Sequence, residues 1–278
     1  MIEEILYDMQ AFFSQSSTFS DSIDKDITNS YKLKHLSLCI RKHSVDGPSL
    51  AQIVSLIFPN LEEFKIHFVH PEEVHSLKFL KNLHNLRSLM IGVVSLEFIK
   101  LGLQTIGINL VTLRYVSYEC GQIDISIIQQ NCRNLRTLSV SGNCVVSEPQ
   151  FGQQNKELFP HLADLHISTH SFIPFSVWSV MLSLCTSLSK VDLTNCEGLS
   201  DNSLAQILAS HPHSLTKLIN LSVRGGHKGD VALTERSVVM INRRCSLLTQ
   251  LGDCFTWSLY GSSPTVDRQR KDVTRGVI

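Results

Sequence analysis

Histidine and cysteine are the side chains here best suited to metal or nucleophilic chemistry, and the chain carries twelve of the first and eight of the second. His67, His70 and His75 form the densest histidine cluster, but no HExxH occurs anywhere. The first two are read as bracketing a strand end and the third as opening a helix, which makes them solvated or turn residues. The cysteines (39, 120, 132, 144, 185, 196, 245, 254) are spread over the whole length with no CxxC pair. Zinc sites need convergent ligands at short spacing, so dispersed thiols are expected to be core residues and no metal or cofactor is expected. Gly225-Gly226-His227-Lys228-Gly229-Asp230 could suggest a phosphate cradle. It lacks the P-loop spacing and its closing Lys-Ser/Thr, and it contains no GxGxxG, so it reads as a surface loop. No GxSxG elbow marks a nucleophilic serine. The chemistry-bearing residues therefore predict a protein that is not an enzyme.

Bulk properties narrow the partners. Lys plus Arg number 25 and Asp plus Glu number 25, for a net charge of zero with histidine neutral. A nucleic-acid or anionic-membrane binder usually carries a basic excess, so neither is expected as the main partner. The start, Met1-Ile2-Glu3-Glu4-Ile5-Leu6, is acidic and unlike a secretory signal or transit peptide. No stretch is long and apolar enough to span a bilayer. Together with the dispersed cysteines, this predicts an intracellular protein, cytoplasmic or nuclear. The single sequon considered, Asn220-Leu221-Ser222, falls inside a predicted strand, where a glycan acceptor is not expected.

The elements that must position these residues are legible as a repeat. Leu-x-x-Leu-x-Leu, with aliphatic or aromatic replacements, recurs as Leu33/Leu36/Leu38, Leu61/Phe64/Ile66, Leu86/Leu89/Ile91 and Leu110/Leu113/Tyr115. It continues as Leu135/Leu138/Val140, Leu162/Leu165/Ile167, Leu188/Val191/Leu193 and Leu218/Leu221/Val223. A degraded ninth copy starts at Leu248 and Leu251. Leading leucines stand 24 to 30 residues apart. A second register agrees: Phe58, Leu83, Cys132, Phe159, Cys185 and Cys245 precede the leading leucine by three, and Asn60, Asn85, Asn109 and Asn134 precede it by one. The eighth copy has a competing start at Leu215. Apolar residues at helical spacing fill the intervals, over residues 50–58, 74–80, 96–103, 123–128, 177–185, 204–208 and 238–241. Ser200 followed by Asp201 is a good helix N-cap.

The seventh copy, Leu188-Ser-Lys-Val-Asp-Leu-Thr-Asn-Cys196-Glu-Gly-Leu-Ser-Asp-Asn-Ser-Leu204, closely resembles the cysteine-containing leucine-rich repeat. Cysteine at the preceding helix end (Cys132, Cys185, Cys245) belongs to the same pattern. The resemblance covers roughly residues 33 to 256 and implies an α/β solenoid (horseshoe) of about nine repeats, with a parallel inner sheet and outer helices. In the family such repeats commonly form the substrate-recognition half of F-box proteins, which couple a target to a ubiquitin ligase. Residues 1–29 contain neither the Pro nor the Trp of the F-box pattern, so ubiquitin-ligase components are implied as partners only if a longer form carries that box.

In such a sheet the leucines point into the core and the residues between them point into the concave face. One predicted row is Ser37, Lys65, Met90, Arg114, Ser139, His166, Asp192, Ser222. The next is Cys39, His67, Gly92, Val116, Ser141, Ser168, Thr194, Arg224. Lys65, His67, Arg114, His166, Asp192 and Arg224 supply charge and reach, and are the candidate contacts for a protein target. Arg114 and Arg224 lead, because arginine is enriched at interface hot spots. The domain expectation is a terminal segment or cap over 1–29, a solenoid over 30–260 and a disordered polar tail over 261–278. Phe255 and Trp257 are expected to cap the last repeat.

Overall fold

The computed structural model describes residues 33–40, 58–68, 78–92, 97–147, 158–211, 213–225 and 233–252. Within them nine strands form one sheet whose spatial order is the chain order, every neighbouring pair parallel. The strands are β1 (His35–Ile40), β2 (Glu63–Phe68), β3 (Ser88–Gly92), β4 (Thr112–Asp124), β5 (Thr137–Ser147), β6 (Asp164–Thr169), β7 (Lys190–Cys196), β8 (Asn220–Gly225) and β9 (Gln250–Gly252). Parallel neighbours cannot be joined by a tight hairpin, so the chain returns over one face between them. Helices lie on these returns: α1 (Glu97–Ile106), α2 (Ile125–Asn131), α3 (Phe175–Leu184), α4 (Asp201–Ser210) and α5 (Glu235–Arg244). Short 3-10 turns cover Lys78–Asn82 and Gly107–Asn109. This is an α/β solenoid-like repeat fold with one parallel sheet.

The template leucines build the core as continuous lines. Phe64, Leu89, Leu113, Leu138, Leu165, Val191 and Leu221 are register partners from strand to strand, and all are buried. So are Ile66, Ile91, Tyr115, Val140, Ile167, Leu193 and Val223 in the parallel line. Helix residues such as Leu103, Ile128, Trp178, Met181, Leu204 and Ile241 complete the same cluster from the other side. Tyr115 stands where aliphatic residues stand elsewhere. Burial pushes its phenol up to about 12, partly offset by a hydrogen bond with Ser117.

The corner before the strand is the same in the repeats led by Leu61 to Leu248. The leading leucine N–H donates to the carbonyl three residues earlier, as in Leu61 to Phe58 (3.2 Å), Leu135 to Cys132 (3.3 Å) and Leu248 to Cys245 (3.1 Å). Leu218 N donates to Leu215 O at 3.1 Å, which makes Leu218 the leading residue and Leu215 the buried residue three before it. Cys132, Cys185 and Cys245 occupy that earlier position and close the last turns of α2, α3 and α5 through their own N–H groups. All three thiols are buried, as are Cys144 and Cys196. Burial raises Cys132 to about 12 and Cys144 and Cys245 to about 11, the opposite of an activated thiolate.

Two boundaries differ from the sequence expectation, and Asn220 agrees with it. The helix expected over 123–128 begins at Ile125, because Gln122, Ile123 and Asp124 continue β4 beside Val145, Val146 and Ser147 of β5. The described end of the 74–80 stretch is a 3-10 turn. Asn220 is a strand residue whose Nδ2 donates to Gln250 Oε1 at 2.9 Å. Residues 1–29, His70, His75, Phe255, Trp257 and the 261–278 tail lie outside the described residues, as do Gly226 to Asp230 of the glycine loop.

Two local devices are testable. At Gly142 the backbone has φ +99, and a Cβ there would meet Ser117 O at 2.0 Å. Gly142→Ala is expected to cost about 1–3 kcal/mol, read as a lower chemical-denaturation midpoint. Ser200 and Ser203 form a capping box at the start of α4. Asp201 beside them accepts from Thr234 N (2.9 Å), from Thr234 Oγ1 and from Ser237 Oγ (2.5 Å), tying α4 to the start of α5. Burial opposes its charge, but these donors outweigh burial and hold its pKa below the ordinary value of 3.8. A carboxyl depressed on folding contributes stability that is full above its unfolded pKa and is lost as pH falls through the folded one. Asp201→Asn is expected to lower stability by about 1–2 kcal/mol at pH 7 and to lose that part of the acid-induced fall, both read from urea titrations at several pH values.

Candidate protein-binding face

Strand side chains alternate, so the residues between the buried leucines emerge on the opposite face of the sheet. Register partners place Ser37, Lys65, Met90, Arg114, Ser139, His166, Asp192 and Ser222 in one line across β1 to β8. Cys39, His67, Gly92, Val116, Ser141 and Ser168 form the next line. Thr194 Oγ1 donates to Ser168 Oγ at 3.3 Å and extends that line sideways. The first expected row is therefore a line of true neighbours from β1 to β8, held about 4.8 Å apart by the sheet, and the second is one as far as Ser168. The β7–β8 register shifts after Leu193, so Arg224 is not a register partner of Thr194.

The six candidate contacts fall into separate places along this face. Lys65 Nζ lies 2.7 Å from Glu63 Oε1 on its own strand, and His35 Nδ1 lies 3.0 Å from Glu63 Oε2. Those two contacts, Lys65 first, hold the Glu63 carboxyl below its ordinary pKa. His67 follows on the same strand, half-buried. Arg114 is exposed on β4, and among the described residues it makes no ion pair. His166 on β6 and Asp192 on β7 are brought together, Nδ1 to Oδ2 at 3.1 Å, each about 41% exposed. Arg224 lies on β8, with its side chain outside the described residues. Lys65 and Arg114 are two strands apart with Met90 between them, and Arg114 and Asp192 are three apart, roughly 14 Å. The six thus form an extended array rather than one cluster.

A third row escaped the sequence reading. His35, Glu63, Ser88, Thr112, Thr137, Asp164, Lys190, Asn220 and Gln250 are register partners two residues before the first row, hence on the same face. The signal was present: the alternation that exposes Lys65 also exposes Glu63, one step before the second leucine of the template. Asp164 Oδ1 accepts from Ser189 Oγ at 3.3 Å. The row adds charges of both signs to the face.

These side chains offer a polar array spaced by the backbone. Among the described residues no three of His, Cys, Asp and Glu stand close enough to hold a metal ion, and no helix is long and apolar enough to cross a membrane. No family model and no curated protein matches the chain. Among solved structures it is similar to a chain of the crystal structure of the yeast Rad7 and Elc1 complex, at 14% identity and a TM-score of 0.43. The match covers 79% of this chain and 63% of that one, so this chain spans less than two thirds of its length.

Both side chains of the His166–Asp192 pair are about 41% exposed, which limits its worth. A double-mutant cycle with His166→Ala and Asp192→Ala is expected to give a coupling of about 1 kcal/mol or less, shrinking as salt is raised. A larger, salt-insensitive coupling would show that this part of the face is structural rather than available to a partner.

Proposed function

We propose that residues 30–260 form a horseshoe of nine cysteine-type leucine-rich repeats that binds a protein target on its concave face. In this reading 1–29 is a terminal segment or cap, 261–278 is a polar tail, and the protein is intracellular and not an enzyme. The particular role proposed is substrate recognition in an F-box-like ubiquitin-ligase receptor, carried over from the resemblance of the seventh repeat. The observation that supports binding most directly is the unbroken register of outward side chains from β1 to β8. An array fixed by the backbone loses little entropy when a partner docks, and a curved one wraps a helix or loop. The alternative is a repeat scaffold in a pathway without ubiquitin.

Crosslinking mass spectrometry in extract identifies the partner, and the same experiment on a longer form that carries an F-box separates the two roles: ligase adaptor subunits accompany the first and are absent from the second. Arg114→Glu with Arg224→Glu is expected to weaken the recovered partner by at least about tenfold, about 1.4 kcal/mol, while leaving the melting temperature unchanged. Unchanged affinity would remove the concave face as the site.

A further inference from the structure

The composition is neutral, but the fold does not spread its charges evenly. The corners where one return ends and the next strand begins stack side by side along one edge of the sheet. Asparagine side chains tie them: Asn109 Nδ2 donates to His84 O at 3.1 Å, and Asn134 Nδ2 donates to Ile108 O at 2.8 Å. Backbone bonds tie the strand starts, with Val111 N donating to Arg87 O and Arg136 N to Val111 O, both at 2.8 Å. Residues at equal distance from the leading leucine therefore line up. In the repeats led by Leu86, Leu110 and Leu135 two such lines read His84, Ile108, Arg133 and Arg87, Val111, Arg136. Each has an aliphatic residue between two basic or histidine side chains.

All of these are exposed except the half-buried Val111, and Ile108 at 51% is among the most exposed large hydrophobic residues described. Lys81 adds an exposed cation at the end of the preceding 3-10 turn. Among the described residues Lys81, Arg87, Arg133 and Arg136 make no ion pair, and corner residues 81–87, 105–111 and 130–136 include no acid. Glu62 borders the patch on the neighbouring repeat, but its carboxylate is 2.7 Å from Lys34 Nζ and feels Arg87 only secondarily. Complementing helix C-termini accounts for Arg133 at the end of α2. It does not account for Arg87 and Arg136, which lie beyond the corner where the helix dipole has faded.

We propose that this edge is a second docking surface, taking an acidic extended protein segment that carries an aliphatic residue between its carboxylates. The inference is independent of the concave-face reading. Arg87 and Arg136 are two strands apart, roughly 10 Å, and with the reach of their side chains they meet carboxylates about four residues apart in an extended peptide, whose middle side chain shares the same face. Guanidinium groups pair with carboxylates in a two-pronged geometry, and Ile108 with Val111 gives the intervening side chain an apolar seat. A nucleic acid fits less well. Its phosphates favour an unbroken cationic track with aromatic residues for stacking. Here the track is broken by two aliphatic residues, and Glu63 and Asp164 stand on the adjoining face.

The test uses fluorescence anisotropy on the full chain with two labelled peptides of equal charge, one all glutamate and one with a leucine among the glutamates. Arg87→Glu with Arg136→Glu is expected to weaken both by at least about tenfold. Ile108→Ser is expected to weaken only the leucine peptide, by about threefold or more. Lys217→Glu, an exposed cation farther along the same edge, is expected to leave both unchanged. Circular dichroism confirms that each variant is folded. Equal sensitivity to Lys217→Glu, or no effect of Ile108→Ser, would show general charge attraction and overturn the proposal. Tighter binding of an oligothymidylate of equal charge, lost on the same arginine reversals, would assign the edge to nucleic acid and overturn it as well.

Discussion

No repeat of this chain can finish its own structure, and everything else depends on the neighbour that finishes it. One carbonyl carries much of this dependence. The residue after each leading leucine accepts from two successive N–H groups of the next repeat: Lys34 from Glu62 and Glu63, Glu62 from Arg87 and Ser88, Arg136 from Ala163 and Asp164, Ile219 from Thr249 and Gln250. A buried carbonyl has two lone pairs, and here both are used in the same way at step after step. The apolar side of each unit is equally incomplete, since a single strand and helix cannot enclose a core. Stacking therefore satisfies polar and apolar requirements together, and it fixes the spacing between equivalent residues.

That spacing turns sequence positions into lines. A residue type repeated at one position becomes a ladder, as with Asn85 Nδ2 donating to Asn60 Oδ1 at 3.2 Å. At the same position Ser187 Oγ donates to Pro160 O at 2.8 Å, doing with a hydroxyl what asparagine does elsewhere. A departure at one position becomes a local feature of the surface. Met90 between Lys65 and Arg114, and Ile108 between His84 and Arg133, are such departures.

Chain direction adds a second consequence. The five described helices all lie on returns from strand ends back to strand starts, so they point the same way. Carboxylates favour helix starts, where Asp124 caps α2 and Asp201 and Glu235 sit in the first turns of α4 and α5. Cations favour helix ends, as with Arg243 and Arg244 on α5. In a globular protein with helices in all directions these preferences would cancel over the surface. Here they add, so a chain of zero net charge gathers Arg243 and Arg244 at one edge and Asp124, Asp201 and Glu235 at the other, while Arg87 and Arg136 join the first edge beyond the reach of any helix dipole. An expectation about anionic partners drawn from net charge does not carry over to a single edge.

The sequence by itself determined the repeat, because its period is imposed by the fold at every turn and the leucines have no alternative environment. Leu113, Leu138 and Leu165 could be assigned to the core from spacing alone, as could the exposure of Lys65, Arg114 and His166 from strand alternation. Ser200 could be assigned as an N-cap from its neighbours, since capping is a local interaction. Tertiary structure decided what depends on contact across repeats. It chose Leu218 over Leu215, because the corner bond to Leu215 O exists in only one register. It extended β4 to Asp124, because β5 offers a partner there that overrides the helical spacing of residues 123–128. It paired His166 with Asp192, 26 residues away, and left Arg114 without a described counter-charge. It also aligned Arg87 with Arg136. Residues so far apart in the chain become neighbours only through the stacking distance, which belongs to the sheet and to no single repeat.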